Sequence, residues 1–462
     1  MKGKSTFENH LIGCDKSTFM IRFHLFLIVT FAGLLSCTSS LHADELLVSK
    51  TGAYKTIQQA INAAQPGDTI KLSTKEGPYY QSAVFHNKSG EEGKPITLDG
   101  QGATLDGSDS LIPKEWQEVS PGLYKSTALP TRLHMSASIL GRYFFIFNNK
   151  INRMGRVSKG AQTALKNPAD LTDGEWTYVE AEKAFYVRPI AGQDLSSIRA
   201  PIRSSGVELN GDCEHLVIRN ITVTHVWNDG FNIHQRSRDI LFQNIRAIEC
   251  GDDGISEHED CQIKVDGMYS SGNATGFCHV GQSQSDTQNI MIDNCLAYGV
   301  YLLDDSHHTL RNCVIRGKST FAIRLVRKTT LSMNNVLLED TGPVYVESGA
   351  SLQAQNVSSW GSAWNISKSS VILNQSAIAG PDAKLKIDQP SLWQSDHNLF
   401  DLQSLIWNGK TYDKSTFADY AADSKQDNNS KFQPLERDSV VTGKLLPIGV
   451  IMKRMLFPKF SS

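Results

Sequence analysis

The chain has 462 residues, with 46 Lys+Arg against 48 Asp+Glu and a formal net charge of −2. That balance excludes a nucleic-acid binder working through a basic face. With 40% hydrophobic and 20% charged residues the chain is not disordered, and at a mean hydropathy of −0.29 only one stretch is apolar enough to consider for a membrane.

That stretch is FHLFLIVTFAGLLSC (Phe23–Cys37), preceded by Arg22 and followed by small residues. A basic residue, a short apolar run and a small-residue exit predict a secretory signal over residues 1–43. The run is short for a membrane span. Met20 as the true start, cleavage after Ala43, and a lipobox-like Leu-Leu-Ser-Cys that would lipidate Cys37 are open alternatives. The expected location is secreted, periplasmic or cell-surface, with no transmembrane span in the mature chain.

Next, TIQQAINAA (Thr56–Ala64) places Ile57, Ala60, Ile61 and Ala64 at helical spacing, ended by Pro66-Gly67-Asp68. Residues 44–110 thus read as a capping helix and the first turns of a coil, since an open sheet end needs covering. Residues 111–200 break the later period and carry a hairpin-like GEWTYVEAEKAFYVRP (Gly174–Pro189), which predicts a β-rich insert beside the coil.

The strongest signal is an internal repeat over residues 201–380. Units begin at Gly206, Gly230, Gly254, Gly276, Gly299, Thr320 and Pro343, spaced 24, 24, 22, 23, 21 and 23 residues. Short apolar runs at that period predict an all-β parallel β-helix with turns of about 22–24 residues. A column of Asn220, Asn244, Asn294, Asn312, Asn335 and Asn356, with Gly267 in the third unit, marks one turn of each coil. Stacked Asn side chains can satisfy buried turn backbone. The residues that follow, Ile221, Ile245, Met268, Cys295, Cys313, Val336 and Val357, should stack inward, making Cys295 and Cys313 adjacent-turn neighbours. Cys213 and Cys261 should lie two turns apart, too far to bridge. Residues 381–462 read as a tail capping the far end.

Six of the eight cysteines fall between Cys213 and Cys313, without CxxC pairs or His/Cys ligand spacing, so no metal site is predicted.

Alternation along each unit's first strand gives an outward ladder: Glu208/Asn210, Asn232/His234, Ser256/His258, Cys278/Val280, Tyr301/Leu303, Ala322/Arg324 and Tyr345/Glu347. Asn228-Asp229 and Asp252-Asp253 stand just before two of these strands. Asp229 and Asp253, one turn apart, should perturb each other so that one carboxyl is an acid and the other a base. Asn-Asp-Gly and Asp-Asp-Gly are equally ordinary turn chemistry. His234 and His258 stack beside the acids as base, ligand or proton shuttle. Glu257 and His279 fall inward, which implies either a bulge or a buried ion pair. Asn232, Ser256, Tyr301, Arg324 and Trp227 are candidate substrate contacts, Tyr301 and Trp227 as sugar-stacking platforms and Arg324 as a partner for a uronate or sulfate. A core role for Trp227 is the alternative. In the fourth unit Gly276 to Asn294 is 18 residues, so Gly281–Asn289 is expected to loop out and wall the cleft.

PGDTI…GPYY…SGEEGKPITLDG…ATLDGS, then GEW…AFYVRP and the coil, resembles secreted right-handed parallel β-helix proteins, the pectate-lyase-like polysaccharide lyases and β-helix glycoside hydrolases, over roughly Asp44 to Gly380. Asn228-Asp229-Gly230 followed by Asp252-Asp253-Gly254 also resembles the polygalacturonase family, which implies that Asp229, Asp252 and Asp253 are the catalytic carboxylates. That family's Gly-His-Gly position reads Ala274-Thr275-Gly276 here, and its Arg-Ile-Lys reads Ala322-Ile323-Arg324. The match therefore implies related glycosidase chemistry rather than galacturonan hydrolysis. Three functions stay open: a monomeric hydrolase of a polysaccharide, acidic by expectation, needing no cofactor; a lyase using calcium or Arg324 with a His base; and a non-catalytic surface module.

Overall fold

A computed structural model describes residues 43–388 and 391–442. The signal segment, its cleavage and Cys37 lie outside these residues. Among the described residues no helix is long and apolar enough to cross a membrane.

The chain is an all-β, right-handed parallel coil built on two long sheets of twelve and sixteen strands. The twelve-stranded sheet takes one short strand per turn, including Val207–Asn210, Phe231–Ile233, Asp253–Glu257, Thr275–His279, Tyr298–Leu303, Phe321–Val326 and Val344–Glu347. The sixteen-stranded sheet takes the rest of each turn, in strands such as Asp212–Thr224 and Arg236–Ile248 that bend midway. The bend is the Asn column. Asn220, Asn244, Asn289, Asn312, Asn335 and Asn356 all have φ between 51° and 61°, and Gly267 has φ 86°. Asparagine tolerates this left-handed backbone better than other side-chain-bearing residues. The ladder is bonded along the coil, with Asn244 Nδ2 donating to Asn220 Oδ1 at 2.9 Å and Asn335 Nδ2 to Asn312 Oδ1 at 2.7 Å.

The fourth member of the column is Asn289, not Asn294. Asn312 Nδ2 donates to Asn289 Oδ1 at 3.1 Å, and Cys313 pairs in register with Ile290. Cys295 belongs to the next corner of the coil, so it is not the adjacent-turn neighbour of Cys313. The expected outward loop is absent for the same reason. Gln284–Asp293 is a regular strand, and Gly276 to Asn289 is 13 residues, the same as Gly299 to Asn312. All six cysteines from Cys213 to Cys313 are buried free thiols.

Glycine recurs at the start of the units because neighbouring turns approach there by backbone. A Cβ at Gly230, Gly254 or Gly276 would lie 2.7 Å from the carbonyl oxygen of the next turn's glycine. The sixth unit begins at Ala322 rather than Thr320, since Val300 pairs with Ile323 and Tyr301 with Arg324. Ala322 is consequently buried, and Arg324 stands between Tyr301 and Tyr345 on the outward face.

Helix Ile57–Ala63 has a capping box, Thr56 with Gln59, and buries Ile57, Ala60 and Ile61 against the first turns. The coil does not fade after residue 380. Strands Lys384–Asp388, Leu392–Asp396, Leu399–Asp401 and Ser404–Trp407 add further turns. Helix Phe417–Ser424 then covers the last one, with Tyr420 buried and hydrogen-bonded from Trp393 Nε1 at 3.0 Å. Residues 108–201 form two four-stranded antiparallel sheets around an aromatic core of Tyr143, Phe145, Trp176 and Phe185.

Candidate active site

The coil's repeat and the insert meet at the turn entering the twelve-stranded sheet. Asp252 N–H donates to the Asn228 carbonyl at 3.0 Å, and Asp253 N–H donates to Asp229 Oδ1 at 3.0 Å. Asn228-Asp229 and Asp252-Asp253 are therefore in register on successive turns. All three acids are buried, and each places a carboxylate oxygen within 4.8 Å of the others.

The insert supplies the counter-charges. Lys159 Nζ is 2.6 Å from Asp253 Oδ1 and also bonds Asp252 Oδ1, which accepts from Ser158 Oγ as well. Arg142 Nη1 lies 2.6 Å from Asp252 Oδ2 and bonds the Asn228 side chain. Bridging the Asp252 turn to the next, the half-buried Arg153 donates to the Cys250 and Gly272 carbonyls at 2.8 and 3.0 Å, and its pKa falls to about 10 because desolvation disfavours the cation. These contacts shift the three carboxyls in different directions. Burial, then the charges of Asp253 and Asp252, push Asp229 well above the usual carboxylate range. Burial and the Asp252 charge raise Asp253 to about 6, against the pull of Lys159. For Asp252 the burial penalty is overcome by Lys159 and Arg142, and its pKa is lowered.

The acids do not line an open cleft. They sit beneath Arg142, Ser158 and Lys159, whose cationic side chains remain 19% (Arg142) and 23% (Lys159) exposed. Surface grooves of about 370 and 400 Å³ run along the other sheet, one past His307 and Ser351, the other past Asp239 and Lys264, and neither includes an acid of the cluster.

His234 and His258 stack face to face, ring centres 4.2 Å apart at 10°. They lie five residues along their strands from Asp229 and Asp253, roughly 16 Å of backbone, and make no direct bond to the acids among the described residues. Burial and the neighbouring His234 lower His258 to about 4, and Ser256 Oγ is 2.6 Å from its Nε2. Asn232 and Ser256 are buried between the two groups.

Further along the same face, Tyr298 stacks on Tyr301 at 4.5 Å and on Phe321 at 5.1 Å, with Tyr345 edge-on to Phe321 at 5.3 Å. Arg324 lies over Phe321 and Tyr301 at 5.4 and 5.9 Å, and its Nη2 pairs with Glu347 at 2.7 Å. Trp227 is half-buried against the aromatic core of the insert, the packing alternative rather than the platform. Cys278 occupies the outward position between Ser256 and Tyr301, and burial with the nearby Asp253 raises its thiol pKa.

Arg142, Ser158 and Lys159 carry no signal in the sequence. They lie in the non-repeating insert, where no period fixes a register to the coil.

No curated protein sequence matches the chain. A solved structure described as "The complex structure of XylC with xylose" aligns at a TM-score of 0.50 and 10% identity, covering 84% of this chain and 86% of that one. Another, described as "Glycoside hydrolase", aligns at 0.40 and 10%, covering 79% and 96%. Residues 205–359 match the family model of the right handed beta helix region, the part of the chain in which the repeat and its Asn ladder are most regular.

Proposed function

We propose that this β-helix is a carbohydrate-active hydrolase cleaving a polysaccharide at Asp252 and Asp253. What carries the reading is one observation: three clustered carboxyls whose surroundings push their pKa values in opposite directions, the arrangement that acid–base chemistry at a glycosidic bond uses. Asp252, kept ionised by Lys159 and Arg142, is the nucleophile or base. Asp253, titrating near 6, is the proton donor. Asp229 is the positioning residue that holds Asp253 through its backbone N–H. Oxygens within 4.8 Å of one another lie on the short, retaining side and leave no room for the water of an inverting enzyme, whose carboxyls stand about 6.5–9.5 Å apart.

Tyr301 and Phe321, partly exposed and backed by the buried Tyr298, are the aromatic contacts for a sugar on the same side of the coil. Arg324, already paired with Glu347, has no uncompensated charge for a uronate, so the polymer need not be acidic. The XylC structure of similar fold is described with xylose, which puts pentose polymers in the test panel. Incubation with plant, algal and host polysaccharides, reading new reducing ends and unsaturated products separately, tests the proposal. Reducing ends without unsaturation support it, and unsaturated ends would move the function to a lyase.

One observation favours a second reading. Asp252 and Asp253 are buried and ion-paired to Arg142 and Lys159 of the insert, so the cluster could serve to fasten the insert onto a non-catalytic coil. In that case no polymer is cleaved, and loss of Lys159 is a stability defect alone.

A further inference from the structure

A second cluster lies inside the coil, where the neighbouring residues are apolar. Glu257 and His279 occupy the same inward column on successive turns, flanked in register by Ile233 before and Leu302 after. His308 enters from the opposite sheet. The Glu257 and His279 side chains are 0% exposed, and His308 is 4% exposed. One donor atom from each lies within 4.8 Å of the others.

These groups are not satisfied by one another. Glu257 Oε2 and His279 Nε2 are 3.6 Å apart, too far for a hydrogen bond. Both Glu257 oxygens, both His279 ring nitrogens and His308 Nε2 have no hydrogen-bond partner. A nearby backbone donor, Gln284 N–H, is already given to the Cys261 carbonyl at 2.9 Å. Each unmet buried polar group costs roughly 1–3 kcal/mol, so three unpartnered side chains, each with one donor atom within 4.8 Å of the others, call for a common partner.

His308 is oriented for that partner. Its Nδ1 lies 2.8 Å from Ser285 Oγ, on the adjacent strand in register with it. A proton on Nδ1 bonded to the serine leaves the buried, unpartnered Nε2 with a free lone pair, the outer-sphere arrangement by which ligating imidazoles are held. One carboxylate and two imidazoles form a donor set suited to a first-row divalent ion, zinc foremost. Ligands bonded at 2.0–2.1 Å around a tetrahedral ion lie about 3.4 Å from each other, and the Glu257–His279 separation of 3.6 Å is close to that edge.

We propose that Glu257, His279 and His308 bind a divalent transition-metal ion inside the coil, clamping its two sheets together. A water molecule completes the coordination. The ion is structural: it is sealed from solvent, separate from the Asp229–Asp253 cluster, and loaded as the chain folds.

The test is to unfold the full chain with denaturant and chelator and refold it with Zn²⁺, with Co²⁺ or with neither. Desalted protein is then analysed for metal by mass spectrometry. About one equivalent of zinc or cobalt, visible d–d absorption from the cobalt form and a higher unfolding temperature than the metal-free form are expected. His308→Gln and Glu257→Gln should lose that equivalent, whereas Asp252→Asn should keep it. Should the first two variants fail to fold, the wild-type stoichiometry decides alone. Wild-type protein that refolds to the same stability with less than about a tenth of an equivalent overturns the proposal, since a buried water would then fill the site. Full metal retention in folded His308→Gln, or its loss in Asp252→Asn, overturns it too, by placing the ion elsewhere.

Discussion

Asp229 accepts the backbone N–H of Asp253 through Oδ1 at 3.0 Å, so the acid of one turn fixes the backbone of the acid on the next. Burial and the nearby Asp253 and Asp252 charges push the Asp229 carboxyl well above the usual range, and an amide oxygen in its place can accept the same bond. Asp229→Asn should therefore fold with little loss, while Asp229→Ala leaves a buried N–H unpaired and should cost about 1–3 kcal/mol. The difference in denaturant midpoints between the two variants measures it. Equal midpoints would mean that water replaces the bond.

Lys159 is the counter-charge shared by Asp252 and Asp253. Removing one side of a buried ion pair leaves the other uncompensated, at about 3–5 kcal/mol. Lys159→Met should lose stability on that scale at pH 7 and less at pH 5, where Asp253 takes up a proton. Urea unfolding at the two pH values reads the contrast, and a loss independent of pH would separate the lysine from the acids.

Asp253 is raised to about 6 from an ordinary 3.8. A raised folded-state pKa contributes stability that is full below 3.8 and lost as pH rises through about 6. Wild-type stability relative to Asp253→Asn should thus fall between pH 5 and pH 7, since the amide does not titrate. A flat difference across that interval would place the ionisation elsewhere.

Asn312 has φ 51° and both donates to Asn289 and accepts from Asn335. Asn312→Ala loses two bonds and takes on left-handed strain, together about 2–4 kcal/mol. Asn312→Gly keeps the backbone conformation at ease and should cost less. Thermal unfolding of the pair reads the order, and glycine costing as much as alanine would assign the whole effect to the amide ladder.

The repeat was legible because β-helix packing writes itself into a period. Gly230, Gly254 and Gly276 mark the close backbone approach, and Asn220 through Asn356 mark the left-handed corner. Where two residues of one type compete, adjacency misleads and spacing does not. Asn289-Ile290 and Asn294-Cys295 both offer Asn before an apolar residue, but only Asn289 continues the spacing of 23, 22 and 23 from Asn244 through Gly267 to Asn312. The register of Asp229 with Asp253 followed from that period, and so did the stacking of His234 on His258. The burial of the acids did not, because Arg142 and Lys159 arrive from an insert whose docking is set by tertiary packing. Glu257 and His279 could be placed inward, but His308 comes from the other sheet, and its part in the cluster needs three dimensions.

The claim that Asp252 does chemistry is tested most directly by the rate of reducing-end release on whichever polysaccharide the wild-type protein cleaves. Wild type and Asp252→Asn are compared at equal folded concentration, with near-ultraviolet circular dichroism as the folding control. If Asp252 is the ionised nucleophile or base, the rate should fall by at least about 10²–10³-fold with the fold intact. Asp252→Asn that stays folded and keeps the wild-type rate would contradict the account at its centre.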